Sequence, residues 1–257
     1  MKILIGIYRV FITALFFSAF GIGALFISVV IFSLISLFVK DKIKRTDLSR
    51  NITQKSFSIF LKSGVILQIF KININGTEKL KNDRGIIYIA NHPSLIDVVI
   101  IGSVVPNTCA VVKNALTHNP FLKGIVNCNR YVPNQGEAKD IVDNCAHELS
   151  LGSNLIIFPE GTRSLDLKKF HFTHGFSSIA LRGPFKVRPI VINFKGYGLR
   201  KNVPWYHMYY SKAQYDIYIE DVFDTNEFIK AHQDKERSAL SRHMAKELEN
   251  YILANLK

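Results

Sequence analysis

The stretch Asn91-His92-Pro93-Ser94-Leu95-Ile96-Asp97 sets a histidine ahead of a proline and an aspartate five positions further on. An imidazole hydrogen-bonded through one ring nitrogen to a carboxylate has its tautomer fixed and offers the other nitrogen as a base. On one continuous helix, residues five apart point about 140° away from each other and do not meet. Pro93 alters that expectation, because the residue before a proline is pushed out of the α region while proline itself favours the first helical position. His92 is therefore expected at a strand-to-helix junction, free to fold back over the first turn, where Asp97 points. The same residues also read as an ordinary helix start with His92 as a polar cap, and this stretch alone does not choose between them.

A second stretch, Phe158-Pro159-Glu160-Gly161-Thr162-Arg163, supplies a carboxylate, a glycine that lets backbone amides approach a ligand, a hydroxyl and a guanidinium. That set suits an anionic substrate. Both stretches follow short apolar runs that read as strands. In α/β sheets ligands bind at the carboxyl ends of strands, so the two stretches are expected to converge on one edge.

The elements that must position them alternate. Candidate strands are 86–90, 108–112, 154–158, 189–194 and 215–220, each rich in β-branched and aromatic residues and bounded by Gly, Pro or Asn. Helical patterns cover 94–104, 137–149 and about 233–256, the last with Leu240, Met244, Leu248 and Ile252 on one face. Asp224 and Glu227 have the spacing of a capping box. This alternation predicts an α/β domain with a mostly parallel sheet flanked by helices.

Ahead of that domain, Val10 to Val39 form thirty consecutive uncharged residues. About 20 apolar residues suffice to span a bilayer as a helix, and a cleaved signal peptide would carry a shorter apolar region. Residues 1–50 are thus expected to be a retained membrane anchor, either one long helix or two short ones broken at Gly21-Ile22-Gly23, and residues 51–257 the α/β domain. Lys40, Lys42, Lys44, Arg45 and Arg50 follow the apolar run, which by the positive-inside tendency places the domain on the cytoplasmic side of the inner, cytoplasmic membrane.

The chain's 257 residues are 48% hydrophobic and carry a net charge of +13, which points to an anionic partner. From Arg182 to Lys201 there are six basic residues and no acid, with Phe185, Phe194, Tyr197, Trp205 and Tyr206 interleaved or following. Cations with aromatics suit an anionic membrane interface, and nucleic acid is excluded as a partner because it leaves the apolar segment unexplained. Cys109, Cys128 and Cys145 are too scattered for a disulfide framework and read as buried thiols in a reducing compartment. His171 and His174 lack a third ligand at metal-site spacing, so no metal is expected; they should pack beside the cleft.

His92-Pro93-Ser94-Leu95-Ile96-Asp97, followed by Phe158 to Arg163, closely resembles the glycerolipid acyltransferases of the 1-acylglycerol-3-phosphate acyltransferase type. The resemblance covers roughly residues 80 to 200. Lys113 to Leu116 and Pro120 to Gly124 look like the family's intervening segment, Gly124 to Arg130 takes the place of its second motif, and Arg188 to Val191 resembles its fourth. Two positions depart from the pattern: Val126-Asn127-Cys128-Asn129 precedes Arg130 where the family has apolar residues and an acid, and Arg188 stands where a small or apolar residue is common.

The resemblance implies a catalytic set of His92 as general base, Asp97 as its orienting partner and Glu160 as a support, with Arg130, Arg163, Gly161, Thr162 and Lys113 binding substrate. It implies no cofactor, an acyl donor that is acyl-CoA or acyl carrier protein, a lysolipid acceptor, and a pair of membrane-embedded helices at the N-terminus. The leading expectation is synthesis of phosphatidic acid. Acylation of another lysolipid, such as a lyso-ornithine lipid, and non-catalytic binding of anionic lipid are the alternatives.

Overall fold

The computed structural model describes residues 2–166, 168–183, 185–209 and 211–257. Its centre is a seven-stranded sheet in the order β1-β7-β6-β2-β5-β3-β4. In chain order the strands are β1 Phe70–Asn75, β2 Ile87–Ala90, β3 Thr108–Lys113, β4 Val132–Asn134, β5 Asn154–Ile157, β6 Val187–Lys195 and β7 Ala213–Ile219. Every neighbouring pair is parallel except β6 and β7. The five strands expected from sequence are present with ends shifted by one or two residues. The two that were not expected, β1 and β4, are the outermost in the order.

The helices are α1 Lys2–Phe26, α2 Phe32–Phe38, α3 Lys42–Ile66, α4 Asp97–Val104, α5 Ala115–His118, α6 Lys123–Cys128, α7 Ala138–Ser150, α8 Gly175–Arg182, α9 Thr225–Ala231 and α10 Arg237–Asn255. One face of the sheet buries Tyr88, Ile156 and Ile192 against α1, α3 and α4, through residues such as Phe16, Phe60 and Ile100. The other face buries Ile87, Leu155 and Val191 against α7, α8 and α10, through Cys145, Ile179 and Met244. Strands covered on both faces bury both alternations, and β2 accordingly has no exposed residue.

Of the two arrangements expected for the N-terminal segment, the structure has the single long helix. The helix runs through Gly21 and Gly23, passes through a π-helical turn at Ile27–Ile31 and continues as α2. Each interior glycine costs only about 1 kcal/mol relative to alanine, and burial of one face offsets that cost: Thr13, Phe16, Ala24, Ser28, Phe32 and Ile35 are buried along the whole length. Reversal comes instead at Val39 to Asp41, where the Asp41 carboxylate accepts from the amides of Ile43 and Lys44 and starts α3. Residue 50, the expected end of the anchor, falls in the middle of α3 with Arg50 buried.

Three of the expected interfacial cations are committed elsewhere. Arg182 pairs with Asp143 and Lys186 with Asp224, while Arg188 is buried and forms a bidentate pair with Asp83 at 2.8 and 2.9 Å. The exposed aromatics Trp205 and Tyr206 lie in the turn Trp205–Tyr209, against which α1 packs, and Tyr197 is exposed after the end of β6.

Candidate active site

Parallel register builds the site. β2 and β5 pair with Ile87 opposite Leu155 and Ile89 opposite Ile157, so both strands end at one level and their following loops lie side by side. His92 leaves the first loop and Glu160 the second. The His92 backbone N–H donates to Glu160 Oε1 at 2.8 Å, the Ser164 N–H donates to the His92 carbonyl at 2.8 Å, and the Ser164 hydroxyl donates to Glu160 Oε2 at 2.7 Å. The two stretches are thus one hydrogen-bonded unit.

Within the first, the Asp97 carboxylate folds back on the turn. Its Oδ2 lies 2.8 Å from His92 Nδ1 and accepts the Ser94 N–H at 2.7 Å, while its Oδ1 accepts the Ser94 hydroxyl. The helix therefore begins at Asp97 rather than at Pro93 or Ser94. The Ser94 amide is held by the aspartate side chain and the Leu95 amide by the Leu199 carbonyl at 2.9 Å, which is how a segment extended by Pro93 still brings His92 and Asp97 together. The His92 ring stacks on Phe158, centroids 4.1 Å apart. Asp97 is fully buried and burial raises its carboxyl above the usual range, against the pull of the His92 and Ser94 hydrogen bonds. Burial raises Glu160 in the same way, opposed by Ser164 and the His92 amide.

His92 also lines a half-open cavity of about 1000 Å³ between the sheet and the helices α1, α3, α4 and α6. Its wall is almost wholly apolar, with Phe16, Phe20, Phe57, Phe60, Val99 and Ile125 among its residues, and Leu15, Ile59 and Leu95 both line it and are exposed on the surface. Lys113, at the end of β3, lines the same cavity.

The other expected substrate ligands are placed differently. The Arg163 guanidinium donates to the carbonyls of Leu199 and Arg200 at 3.3 and 3.2 Å, which ties the second stretch to the loop after β6. Gly161 has φ +70, the left-handed turn conformation that glycine adopts without strain, and Thr162 is exposed beside it. Arg130 pairs with Glu148 at 2.6 Å, and the second oxygen of Glu148 binds buried Arg50 of α3 at 3.0 Å. Arg50 also donates to the Asn129 carbonyl, Asn107 and Ser153. The departure from the family pattern at Val126 to Asn129 therefore coincides with an Arg–Glu–Arg array, buried at Arg50 and Glu148 and part-exposed at Arg130, that joins α3 to the domain. Gly124 packs on the π-helical turn, where an added Cβ would lie 2.3 Å from Ser28 Oγ, and its amide donates to that oxygen at 2.9 Å.

His171 and His174 sit next to the site: Thr173 between them bonds the Pro159 carbonyl through both amide and hydroxyl, at 2.9 and 2.8 Å. Sequence reasoning missed Ser94, Ser164, Phe158 and Tyr215 as parts of this unit. The first three lie inside or beside the two stretches and could have been found there.

An imidazole bonded to a fully buried carboxylate at the strand ends of a largely parallel sheet, and lining a large apolar cavity, has the geometry of a general base beside an apolar binding site. Residues 71–193, just under half of the chain, match the family model described as Acyltransferase. A 1-acyl-sn-glycerol-3-phosphate acyltransferase of Chlamydomonas reinhardtii is 32% identical over 130 residues, 48% of this chain and 39% of that protein; one of Cocos nucifera is 33% identical over 137 residues, 51% and 44% respectively. The matches thus span less than half the length of either relative. The crystal structure of the 1-acyl-sn-glycerophosphate acyltransferase of Thermotoga maritima has the same fold, with a TM-score of 0.59 at 20% identity, covering 97% of this chain and 96% of that one.

Proposed function

We propose that the protein transfers a fatty acyl group from a thioester, acyl-CoA or acyl carrier protein, to the hydroxyl of 1-acylglycerol-3-phosphate, giving phosphatidic acid. The observation that carries this reading is the His92–Asp97 pair placed on an apolar cavity of lipid-chain size. Asp97 engages Nδ1, so Nε2 is the nitrogen left to take a proton from the acceptor hydroxyl. The acceptor oxygen attacks the thioester carbonyl, and the tetrahedral intermediate collapses with loss of the thiolate, which takes the proton from Nε2. Base catalysis of this kind supplies about 10²- to 10⁴-fold, and positioning of acceptor and donor supplies much of the rest. Glu160 supports the site by holding the His92 backbone.

The helical segment Ile3–Phe38 is long and apolar enough to cross a membrane. Its buried stripe rests on the domain along its length, while Phe11, Leu15, Ile22, Phe26 and Phe38 are exposed. Such a helix suits insertion of its outer face into the membrane surface layer, with the domain on the cytoplasmic side. Lys113, which lines the cavity with His92, and Arg163, in the loop bonded to His92, are the cations we assign to an acceptor phosphate. The engagement of Arg130 by Glu148 favours a second reading, with the same chemistry on a lysolipid of different head group.

The test is a membrane fraction of wild type beside His92→Ala, given labelled acyl-CoA or acyl carrier protein and a panel of lysolipids, with products identified by mass spectrometry. Phosphatidic acid made only by wild type supports the leading reading, and a different acylated lysolipid moves the acceptor. Equal turnover by His92→Ala refutes the mechanism. Membrane binding without any acylation returns the protein to lipid binding alone.

A further inference from the structure

We propose that Tyr215 of β7 is a positioning residue for the His92–Asp97 pair, acting through Ser94. The inference rests on the proposed role of His92 as base. The Tyr215 hydroxyl donates to Ser94 Oγ at 2.8 Å, and Ser94 Oγ in turn donates to Asp97 Oδ1. A serine hydroxyl has a single hydrogen. With the tyrosine hydrogen aimed at its oxygen, the Ser94 hydrogen is directed onto the carboxylate. Tyr215, Ser94 and Asp97 are each 0% exposed, so water does not replace any link in the chain, and each link polarises the next.

Packing accounts for a ring at this position but not for its hydroxyl. Ala213, Tyr215, Ile217 and Ile219 form the buried alternation of β7, and phenylalanine would fill the same space. Tyr215 also lies beyond residues 71–193, the stretch matched by the family model. Its hydroxyl therefore belongs to a part of the chain that the two motifs do not cover.

Donors to a buried carboxylate lower its affinity for a proton. Loss of the tyrosine hydroxyl loosens the Ser94 donation, so the imidazole–carboxylate pair holds its extra proton more tightly. The acid limb of the rate profile then moves to higher pH. The other titratable groups around the pair are Glu160 from the loop after β5, Lys113 from β3, and Tyr131, which shares the cavity. Arg163 follows Glu160 in the same loop and bonds the Leu199 and Arg200 carbonyls, and among the described residues α1 and α3 contribute no ionisable side chain to the cavity wall. A limb set by Glu160 alone stays where it is in Tyr215→Phe, because Tyr215 makes no bond to Glu160.

The experiment is the pH dependence of kcat/KM for the full chain in mixed vesicles, comparing wild type, Tyr215→Phe and Ser94→Ala, with thermal unfolding to confirm that each is folded. Tyr215→Phe should lower kcat about 3- to 10-fold, leave both KM values unchanged and raise the acid limb by about 0.5 to 1 pH unit. Ser94→Ala should move the limb further in the same direction. An acid limb unmoved in both folded variants, or a change confined to KM, overturns the relay. Should His92→Ala be inactive while those limbs stay put, the relay alone falls; wild-type turnover in His92→Ala overturns both the relay and the base on which it rests.

Discussion

Replacement of Asp97 by asparagine separates charge from geometry in this site. An amide in place of a carboxylate can reverse the tautomer of its histidine by turning its NH2 toward the ring. Here the Ser94 backbone N–H opposes that reversal, because it donates to the same oxygen that faces His92 Nδ1. An NH2 at that position would set two donors against each other, at a cost of about 1 to 3 kcal/mol for the unsatisfied amide. Asp97→Asn is therefore expected to keep its oxygen toward His92 and to turn its NH2 to Ser94 Oγ, whose hydroxyl can rotate to accept. On the proposed mechanism, what is lost is the negative charge beside the imidazolium that forms as the acceptor is deprotonated. Two unit charges about 4 Å apart interact by about 4 kcal/mol at an effective dielectric constant of about 20, which corresponds to about a thousandfold in rate. Initial rates of labelled acyl transfer in vesicles, with acceptor saturating, measure kcat directly. A loss of about 10³ in kcat, KM being little changed, is the expected result. A folded Asp97→Asn protein within tenfold of wild type would show that the carboxylate charge does not assist the base.

The cavity and the rest of the fold give further tests. Gly23 lines the cavity and an added Cβ there meets nothing within 4 Å, so Gly23→Leu should fold about as stably as wild type and shift the preferred acyl chain to shorter lengths, read by competition among donors of mixed chain length. Glu148→Gln removes the charge shared by buried Arg50 and exposed-side Arg130; breaking a buried pair costs about 3 to 5 kcal/mol, visible as a large fall in the thermal unfolding midpoint, and an unchanged midpoint would show the array to be energetically idle. Burial raises Glu160 above its usual value, so the folded state holds that proton more tightly than the unfolded chain. Its contribution to stability consequently falls as pH rises from about 4.3, the unfolded value, through the raised folded value. Glu160→Gln should remove this component, leaving stability less dependent on pH across that window in unfolding scans; superimposable profiles would contradict the raised value.

The parts legible in the sequence were those where local pattern and tertiary role agree. The strands ending at Ala90 and Ile157 are short apolar runs, and the residues that follow them, His92 and Glu160, met as expected because parallel pairing aligns the strand ends. β1 and β4 escaped notice for physical reasons: β1 alternates with Lys71, Asn73 and Asn75 on an edge, and β4 is three residues long with Pro133 in its middle. The glycines at 21 and 23 leave one long helix and two short ones both open in the sequence because propensity is local, whereas the contacts that keep the helix whole come from Phe60 and Phe70 in distant parts of the chain. A run of cations in sequence likewise became separate ion pairs in space, since Asp83, Asp143 and Asp224 lie outside the run. Tyr215 lies 121 residues from Ser94, and no pattern around it marks a hydroxyl with a task.

The wall that α1 contributes to the cavity sets the dimension in which substrate is counted. On the proposed membrane placement, Leu15, Ile59 and Leu95, which line that cavity and are exposed, offer a hydrocarbon chain a route that never enters water. A lysolipid taking that route arrives by lateral diffusion, and the quantity that governs saturation is its mole fraction in the lipid sheet. Diluting the acceptor with inert phospholipid should then slow turnover at constant bulk concentration, while diluting the vesicles in buffer should leave it nearly unchanged.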